Sequence, residues 1–303
     1  MIEEPLVSIV LPTYNGARYL SLSIQSFLEQ TCTNWELIIV DDASTDNSSK
    51  IIEQYLLMDN RIKCIRHDTN RKLPAALNTG FNHAKGKYFT WTSDDNCYRP
   101  QALERMVDCL EKNSGAGIVY SDYSIIDDEG KPLNKITVFP SEQLTCGNIV
   151  RASFLYRRKV HEALGGYNEE LFLLEDFEFW LRASLHFKLV PLHQDLYLFR
   201  RHGNSLTITF SNRIQTGHEK TLVRYLPKMR WAGRQAIAHG YLALAGFSAK
   251  RRDLKQTCIY IIRALIYFFS FYVVRISLER FIYALVGERI AALFFAPYRW
   301  IKR

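Results

Sequence analysis

Two glycine-rich phosphate cradles are missing from this chain of 303 residues. No G-x-G-x-x-G follows the first apolar run, and no G-x-x-x-x-G-K-[ST] occurs anywhere. A dinucleotide dehydrogenase and a P-loop ATPase are thereby disfavoured, and a diphosphate bound here must be held by side chains and metal. The six cysteines, at 32, 64, 97, 109, 146 and 258, form no C-x-x-C pair and no His-Cys cluster. They read as reduced, scattered thiols in a reducing compartment. Met1-Ile2-Glu3-Glu4-Pro5 is acidic and lacks an apolar h-region, so no secretory signal is expected and the chain is placed on the cytoplasmic side. Long apolar runs are scarce too. The longest charge-free run of the C-terminal tail, Ala264–Val274, has 11 residues, short of the roughly 18 to 20 that span a bilayer.

Charge is present but unevenly placed. From Lys228 to Arg303 there are 14 Lys/Arg against three acids, whereas residues 1–227 carry 25 basic and 28 acidic side chains. All of the chain's net positive charge of +8 therefore comes from the tail, since residues 1–227 are net negative. A nucleic-acid partner would call for a basic patch on the folded body, so no nucleic acid is expected and an acidic membrane surface is the better partner. Cys258–Trp300 adds twelve aromatic residues among spaced arginines, a composition suited to a helix lying in the membrane interface. Gln256, Arg263, Ser270 and Ser277 recur every seven residues, giving Gln256–Val274 a narrow polar stripe. The competing expectation is a helical hairpin, Arg230–Phe247 against Lys255–Leu278, packed on the rest of the chain or on a second subunit.

Ahead of the tail, apolar runs alternate with helical periodicity. Strands are expected at residues 6–11, 36–40, 61–66, 87–91 and 117–120, with helices at 17–30, 44–57, 73–84 and 100–112 between them. That order predicts an α/β fold, a mostly parallel Rossmann-like sheet with helices on both faces. From Ser121 the alternation breaks into short strands at 123–126, 135–139 and 152–156, a helix at 158–164 and an acidic-entry helix at 175–182. The expected organisation is a catalytic domain over 1–227 (a nucleotide-binding half, 1–120, and an acceptor-binding half, 121–227) and a basic helical tail over 228–303.

Ligands of such sheets sit outside the carboxyl ends of the strands, and polar clusters fall there: Thr13-Tyr14-Asn15, Asp41-Asp42 and Ser93-Asp94-Asp95. Adjacent carboxylates at a buried strand end repel each other unless a cation offsets them. A divalent ion bridging to a phosphate does so, because Mg²⁺ and Mn²⁺ prefer carboxylate and phosphate oxygen. The alternative for Asp94-Asp95 is a solvated turn capping the next helix, and for Glu175-Asp176 simple capping.

Several short motifs together resemble family 2 nucleotide-sugar glycosyltransferases, with the A-type, Rossmann-like glycosyltransferase fold. They are Val7–Asn15, Trp35–Asp46, Leu77-Asn78-Thr79-Gly80, Ala84–Tyr88, Ser93-Asp94-Asp95, Gly165-Gly166-Tyr167-Asn168, Glu175–Arg182 and Arg200-Arg201-His202. The resemblance covers residues 5 to 210 in the family's order, leaving the tail outside. It implies a nucleotide pocket lined by Pro12, Thr13 and Tyr14, with Asp42 accepting the base N–H. It also implies Asp94 at the ribose, Asp95 on a Mn²⁺ or Mg²⁺ ion, and His202 with Arg200 or Arg201 near the diphosphate, helping to hold the active-site loop. Lys72, and Arg71 beside it, are further phosphate candidates, with a solvated surface as their alternative. Asp176 is implied to be the base that deprotonates an acceptor hydroxyl, giving single displacement with inversion. Where the family's metal motif often reads Asp-x-Asp-Asp, this chain has Thr92 first, leaving two carboxylates.

The resemblance further implies a nucleotide-sugar donor, UDP ahead of GDP or dTDP, and a saccharide or lipid-linked acceptor in cell-surface polysaccharide or glycolipid assembly. The protein is expected to be peripheral on the inner face of the cell membrane through 255–303, with a homo-oligomer possible. Two rivals are an inactive membrane-associated scaffold and a nucleotidyltransferase. Clustered Asp42, Asp94, Asp95 and Asp176 argue against the first. Pro12-Thr13-Tyr14-Asn15, standing where a Gly-rich basic loop would be, argues against the second.

Overall fold

The computed structural model describes residues 5–203 and 205–287. Its strands are β1 Val7–Thr13, β2 Trp35–Asp41, β3 Ile62–Arg66, β4 Tyr88–Trp91, β5 Cys97–Tyr98, β6 Ala116–Ile126, β7 Pro132–Ile136, β8 Phe154–Arg157 and β9 Lys188–Arg200. The helices are α1 Leu20–Leu28, α2 Ser48–Met58, α3 Leu73–His83, α4 Ala102–Lys112, α5 Arg158–Leu164, α6 Glu175–Ser184, α7 Leu206–Thr209, α8 Ser211–Tyr225, α9 Gly233–Lys250, α10 Leu254–Tyr267 and α11 Phe271–Val286. Two compact units result. One runs to Pro140 and includes Ile149–Ile214; the other joins Ser141–Asn148 to the residues from Gln215 on. The division falls inside α8.

In the first unit the strands order as β3-β2-β1-β4-β8-β6-β9-β5, with β7 on β6. β1 pairs in parallel with β2 and β4, and β2 with β3. β8 runs antiparallel to β4 and β6. β1 and β2 are buried along their full length, so both of their faces are apolar, as a strand covered on both sides requires. Val7, Ile9 and Leu11 share a core with Leu20, Ile24 and Phe27 of α1 and Leu103, Met106 and Leu110 of α4. Val10 points the other way, where a Cβ on Gly80 of α3 would lie only 2.4 Å from its Cγ1. Helices thus cover both faces, and Gly80 is what lets α3 approach β1.

Two departures from the expected elements follow from pairing. The segments foreseen at 117–120 and 123–126 form one strand, β6, because β9 runs alongside it from Ala116 to Ile126. β9 itself, 13 residues long, was not foreseen. Pro191, His193, Gln194 and Asp195 break its alternation, and its register with β6 shifts three times.

In the second unit α9 is the central helix, and Gly240 admits Leu226 and the Thr145 carbonyl at 2.6 Å from where a Cβ would stand. The continuous helix expected over Gln256–Val274 is interrupted. α10 ends at Tyr267, and Ser270, with extended backbone, accepts a hydrogen bond from the Val273 N–H and starts α11. Ser270 is therefore a cap, not a member of a polar stripe. No helix among the described residues is long and apolar enough to cross a membrane. The part of the proposed membrane segment beyond Gly287 lies outside the described residues.

Candidate active site

The carboxyl ends of β1, β2 and β4 carry the acids, and each is held differently. Asp42 follows β2, and its N–H donates to the Thr13 carbonyl at 2.9 Å. Its Oδ1 takes hydrogen bonds from His67 Nδ1 (2.7 Å) and the Arg71 N–H (2.8 Å), and its Oδ2 from the Lys72 N–H (2.9 Å). His67 is held in turn by Thr79 Oγ1 at 3.0 Å. A carboxylate offers about four acceptor positions, so one on Oδ2 remains after these three. Lys72 contributes its backbone here. It precedes α3 with φ at 74°, a left-handed conformation that aims its N–H at Asp42. Its exposed side chain makes no bond in this network.

The loop after β1 is tied to the segment after β2. Asn15 N–H donates to Ser44 Oγ, Gly16 N–H to Ser48 Oγ and Ala17 N–H to Asp46 Oδ2, all at 3.0–3.1 Å. The Asp-Asp-Ala-Ser-Thr-Asp run thus acts as a brace for Thr13–Ala17. Pro12 lies buried within β1 beside Val40, while Tyr14 is 49% exposed. Thr13 Oγ1 donates to Asp94 Oδ2 at 2.5 Å. A Cβ on Gly16 would fall 2.0 Å from that same Oδ2, so no larger residue fits.

Burial, with the Asp95 carboxylate beside it, pushes the Asp94 carboxyl up to about 7, against the pull of Thr13 and the Tyr14 N–H. Asp95 is also raised by burial, opposed by His202, whose Nε2 lies 3.0 Å from Asp95 Oδ2. Asp95 Oδ1 is buried with no hydrogen-bond partner. His202 packs its ring on Tyr19, centroids 5.2 Å apart.

Of the role implied by resemblance, Arg200 carries the part that holds the active-site loop. It is only 3% exposed. Its Nε donates to the Asp95 carbonyl (3.0 Å) and its Nη1 to the Asp127 and Asp128 carbonyls, while its backbone N–H holds Asn96. The guanidinium also lies 4.8 Å from the Tyr19 ring centre. It is a buried strut that fixes the Asp95–Asn96 backbone; Arg201 is exposed. Thr92, at the position of the family's first acid, is buried and pairs with the Tyr197 hydroxyl at 2.7 Å.

Asp176 stands in the first turn of α6, half-buried, with its Oδ1 accepting from the Phe177 N–H at 2.6 Å. Glu175 before it is only 4% exposed, and its Oε2 has no partner. Burial, with the Asp176 charge adjacent, pushes Glu175 up to about 8. Neither acid caps the helix through its side chain at the Ncap, which is Leu174. The entrance to α6 is fixed from below. Arg182 pairs with Glu178 and donates to the Leu164 and Gly166 carbonyls. Asn78 donates to the Tyr167 carbonyl and accepts the Tyr167 N–H at 2.8 Å. Gly166 has φ of 86°, and a Cβ there would meet Asn78 Oδ1 at 2.7 Å. The Leu-Asn-Thr-Gly and Gly-Gly-Tyr-Asn motifs are thus two halves of one clamp.

Sequence reading gives no role to His67, Tyr19, Asn78 or Asn96 and does not show the burial of Glu175. Asn78, Asn96 and Glu175 carried a signal, since they lie in or directly beside the motifs singled out.

A family model, Glycosyl transferase family 2, matches residues 8–165. The chain belongs to glycosyl transferase family 2. An uncharacterized glycosyltransferase of Rickettsia felis is 34% identical over 202 residues, covering 63% of this chain. This chain spans only a third of that relative's length (33%). EpsE of Bacillus subtilis, named provisionally as a glycosyltransferase, is 32% identical over 230 residues, 71% of this chain and 81% of EpsE. TuaG of the same organism, named provisionally for teichuronic acid biosynthesis, is 32% identical over 152 residues, 50% of this chain and 60% of TuaG. Among solved structures, S. aureus TarS 1–349 in complex with UDP-GlcNAc aligns with a TM-score of 0.64 at 17% identity, over 94% of this chain and 88% of that one. The mannosyltransferase PcManGT of Pyrobaculum calidifontis, with GDP-Man and Mn²⁺, gives 0.62 at 16%, over 97% and 84%. At such identities these two show the fold, and the family 2 chain has the A-type glycosyltransferase architecture expected of it.

A divalent ion fits the residues of this family 2 site. Among the described residues no group of three or more His, Cys, Asp or Glu gathers into a complete ligand set. The buried, unpartnered Asp95 Oδ1 beside His202 instead supplies a partial set, which a ligand's phosphate oxygens can complete.

Proposed function

We propose that this chain is an inverting glycosyltransferase that moves a sugar from a nucleotide-diphosphate donor, a UDP-sugar, to a hydroxyl of a saccharide or lipid-linked acceptor. The observation that carries this reading is the unpartnered buried Oδ1 of Asp95, whose other oxygen is held by His202. A buried carboxylate oxygen without a donor is costly, and a cation at that point removes the cost. UDP is supported by the UDP-GlcNAc complex of TarS. Cell-surface polysaccharide assembly is supported by the name of TuaG, and a place at the inner face of the membrane by the basic, aromatic tail.

In this mechanism the free acceptor position on Asp42 Oδ2 takes the base N–H, while Pro12, Thr13 and Tyr14 line the base. Asp94, held by Thr13, receives the ribose. Asp95, with His202 behind it, would hold the Mn²⁺ or Mg²⁺, which when bound offsets charge developing on the diphosphate. Arg200 keeps the Asp95 backbone fixed rather than touching phosphate. Lys72, with an exposed side chain beside the Asp42 network, is assigned to the phosphates, while the Arg71 guanidinium lies 3.9 Å from Glu169. Asp176 takes the proton of the acceptor hydroxyl as its oxygen bonds to the anomeric carbon. The bond from that carbon to the diphosphate oxygen breaks, and the electron pair leaves with the nucleoside diphosphate.

Thermal shift with UDP, GDP and dTDP and their sugars, each with and without Mn²⁺, tests the donor site. A metal-dependent shift with a uridine ligand, lost in Asp95→Asn, is expected; no shift with any of them overturns the reading. Asp176→Asn is expected to keep that shift while transfer falls by about 10²–10⁴-fold. Loss of both together would make Asp176 structural.

A further inference from the structure

The outward faces of α10 and α11 carry large apolar side chains where helices facing water carry charge. Ile262 and Ile266 are 56% and 67% exposed, and Phe269, just past α10, is 78% exposed. On α11, Phe271 is 85% exposed, followed by exposed Val274, Leu278 and Leu285. Spacings of three, four and seven residues put each set on one stripe. The inward faces are smaller or more polar, with Thr257, Tyr260 and Ala264 on α10 and Val273, Ser277 and Ala284 among those on α11. This is the reverse of the usual arrangement of a helix between core and water.

The stripes meet at a corner, Ile266-Tyr267-Phe268-Phe269-Ser270-Phe271-Tyr272, that contains no charged residue. Arg263 and Arg275 flank it in sequence. Arg234 reaches it from α9, donating from Nε to the Tyr267 carbonyl (2.9 Å) and from Nη2 to the Ile266 carbonyl (3.2 Å). Asp253 and Glu279 are the only acids from Lys250 to Gly287. An apolar tip ringed by cations has two candidate partners, a second copy or a lipid surface. A second copy related by a two-fold axis would bring the same arginines against each other with few acids to neutralise them. Anionic headgroups over acyl chains complement both features.

We propose that the α10–α11 corner docks on an anionic lipid bilayer. Phe269 and Phe271 enter the acyl boundary, and Arg234, Arg263 and Arg275 meet the headgroup phosphates. The surface is lain upon, not crossed, since α10 and α11 have 14 and 16 residues, below the roughly 20 a span needs. This deepens the membrane placement proposed above but does not rest on the donor chemistry.

The test is flotation of the full chain with vesicles of phosphatidylcholine alone or mixed with phosphatidylglycerol. Binding to the anionic vesicles is expected, weakened by about tenfold or more in Phe269→Ser/Phe271→Ser and by raised salt. Arg263→Gln/Arg275→Gln is expected to weaken binding to anionic vesicles alone. Both Phe side chains are exposed, so the melting temperature and any donor-dependent shift should be unchanged, which separates this result from failure of the transfer reading. No flotation, or equal flotation of wild type and the Phe variant, overturns the proposal. So does equal binding to both vesicle types, or a concentration-dependent dimer that the Phe substitutions dissolve.

Discussion

Asp41-Asp42 after β2 and Asp94-Asp95 after β4 are the same dipeptide at the same kind of strand end, yet the chain treats them in opposite ways. Asp41 is closed by Ser44 N–H, Ser49 Oγ and Arg66, and Asp42 by His67 and two backbone N–H groups. Asp94 is pushed up to about 7 by burial next to Asp95, and Asp95 keeps one buried oxygen without a donor. One pair is finished by its own fold. The other is left for something the chain does not supply. Sequence alone cannot separate them, because the donors arrive from Arg71, Lys72 and His67 on one side and from Arg200 and His202 on the other.

The contrast is testable from its strongest consequence downward. Asp95→Asn should cut transfer by about 10²–10³-fold or more while changing the melting temperature little, because the cost of burying a carboxylate with one oxygen lacking a donor is removed along with its bond to His202. Paired assays of initial rate and thermal unfolding check both halves, and a large loss of stability would show that Asp95 is structural instead. Asp42→Asn should do the reverse first. Its amide keeps one accepting oxygen but sets an NH2 donor against a donor that the second oxygen now accepts from, so unfolding free energy should fall by about 1–3 kcal/mol, measured by urea denaturation. If Asp42→Asn instead unfolds like wild type, the two pairs are less different than their bonds suggest.

A smaller effect is expected at Gly16. Gly16→Ala forces a Cβ onto Asp94 Oδ2, so donor affinity should drop with a loss of about 1–3 kcal/mol in stability, read by titration calorimetry alongside melting. A further consequence concerns pH. Glu175 is raised from 4.5 to about 8 in the folded chain. The folded state therefore retains a proton that the unfolded state releases, and stability present below pH 4.5 is lost as pH rises towards 8. The gap between melting temperatures at pH 5 and pH 8 should accordingly narrow in Glu175→Gln, leaving the part that comes from Asp94. An unchanged pH slope would mean that Glu175 is already ionised.

How much of this was legible depended on whether a signal was local. Val7–Leu11 and Glu36–Val40 announce buried strands through continuous apolar runs, and Asp94-Asp95 announces itself as an unusual strand end. β9 did not, because its partner β6 lies some seventy positions earlier and its polar residues mask the pattern. Arg200 reads in sequence as a free cation beside a histidine. Only tertiary placement shows it spent on three carbonyls. The interruption after Tyr267 was legible in principle, since a serine before an apolar run is a capping signal, but the seven-residue recurrence of Ser270 concealed it.

The bond between Asp95 and His202 bridges 107 positions of sequence, and that between Arg200 and the Asp95 carbonyl bridges 105. Synthesis runs from the amino end, so β1 to β4 can pair while the ribosome is still making the rest. The acid that the site turns on waits for the last strand of the sheet to emerge. A nascent chain stopped before residue 200 would hold most of its parallel strands and still have an unsupported Asp95, so assembly of the site is a late event in the life of each molecule.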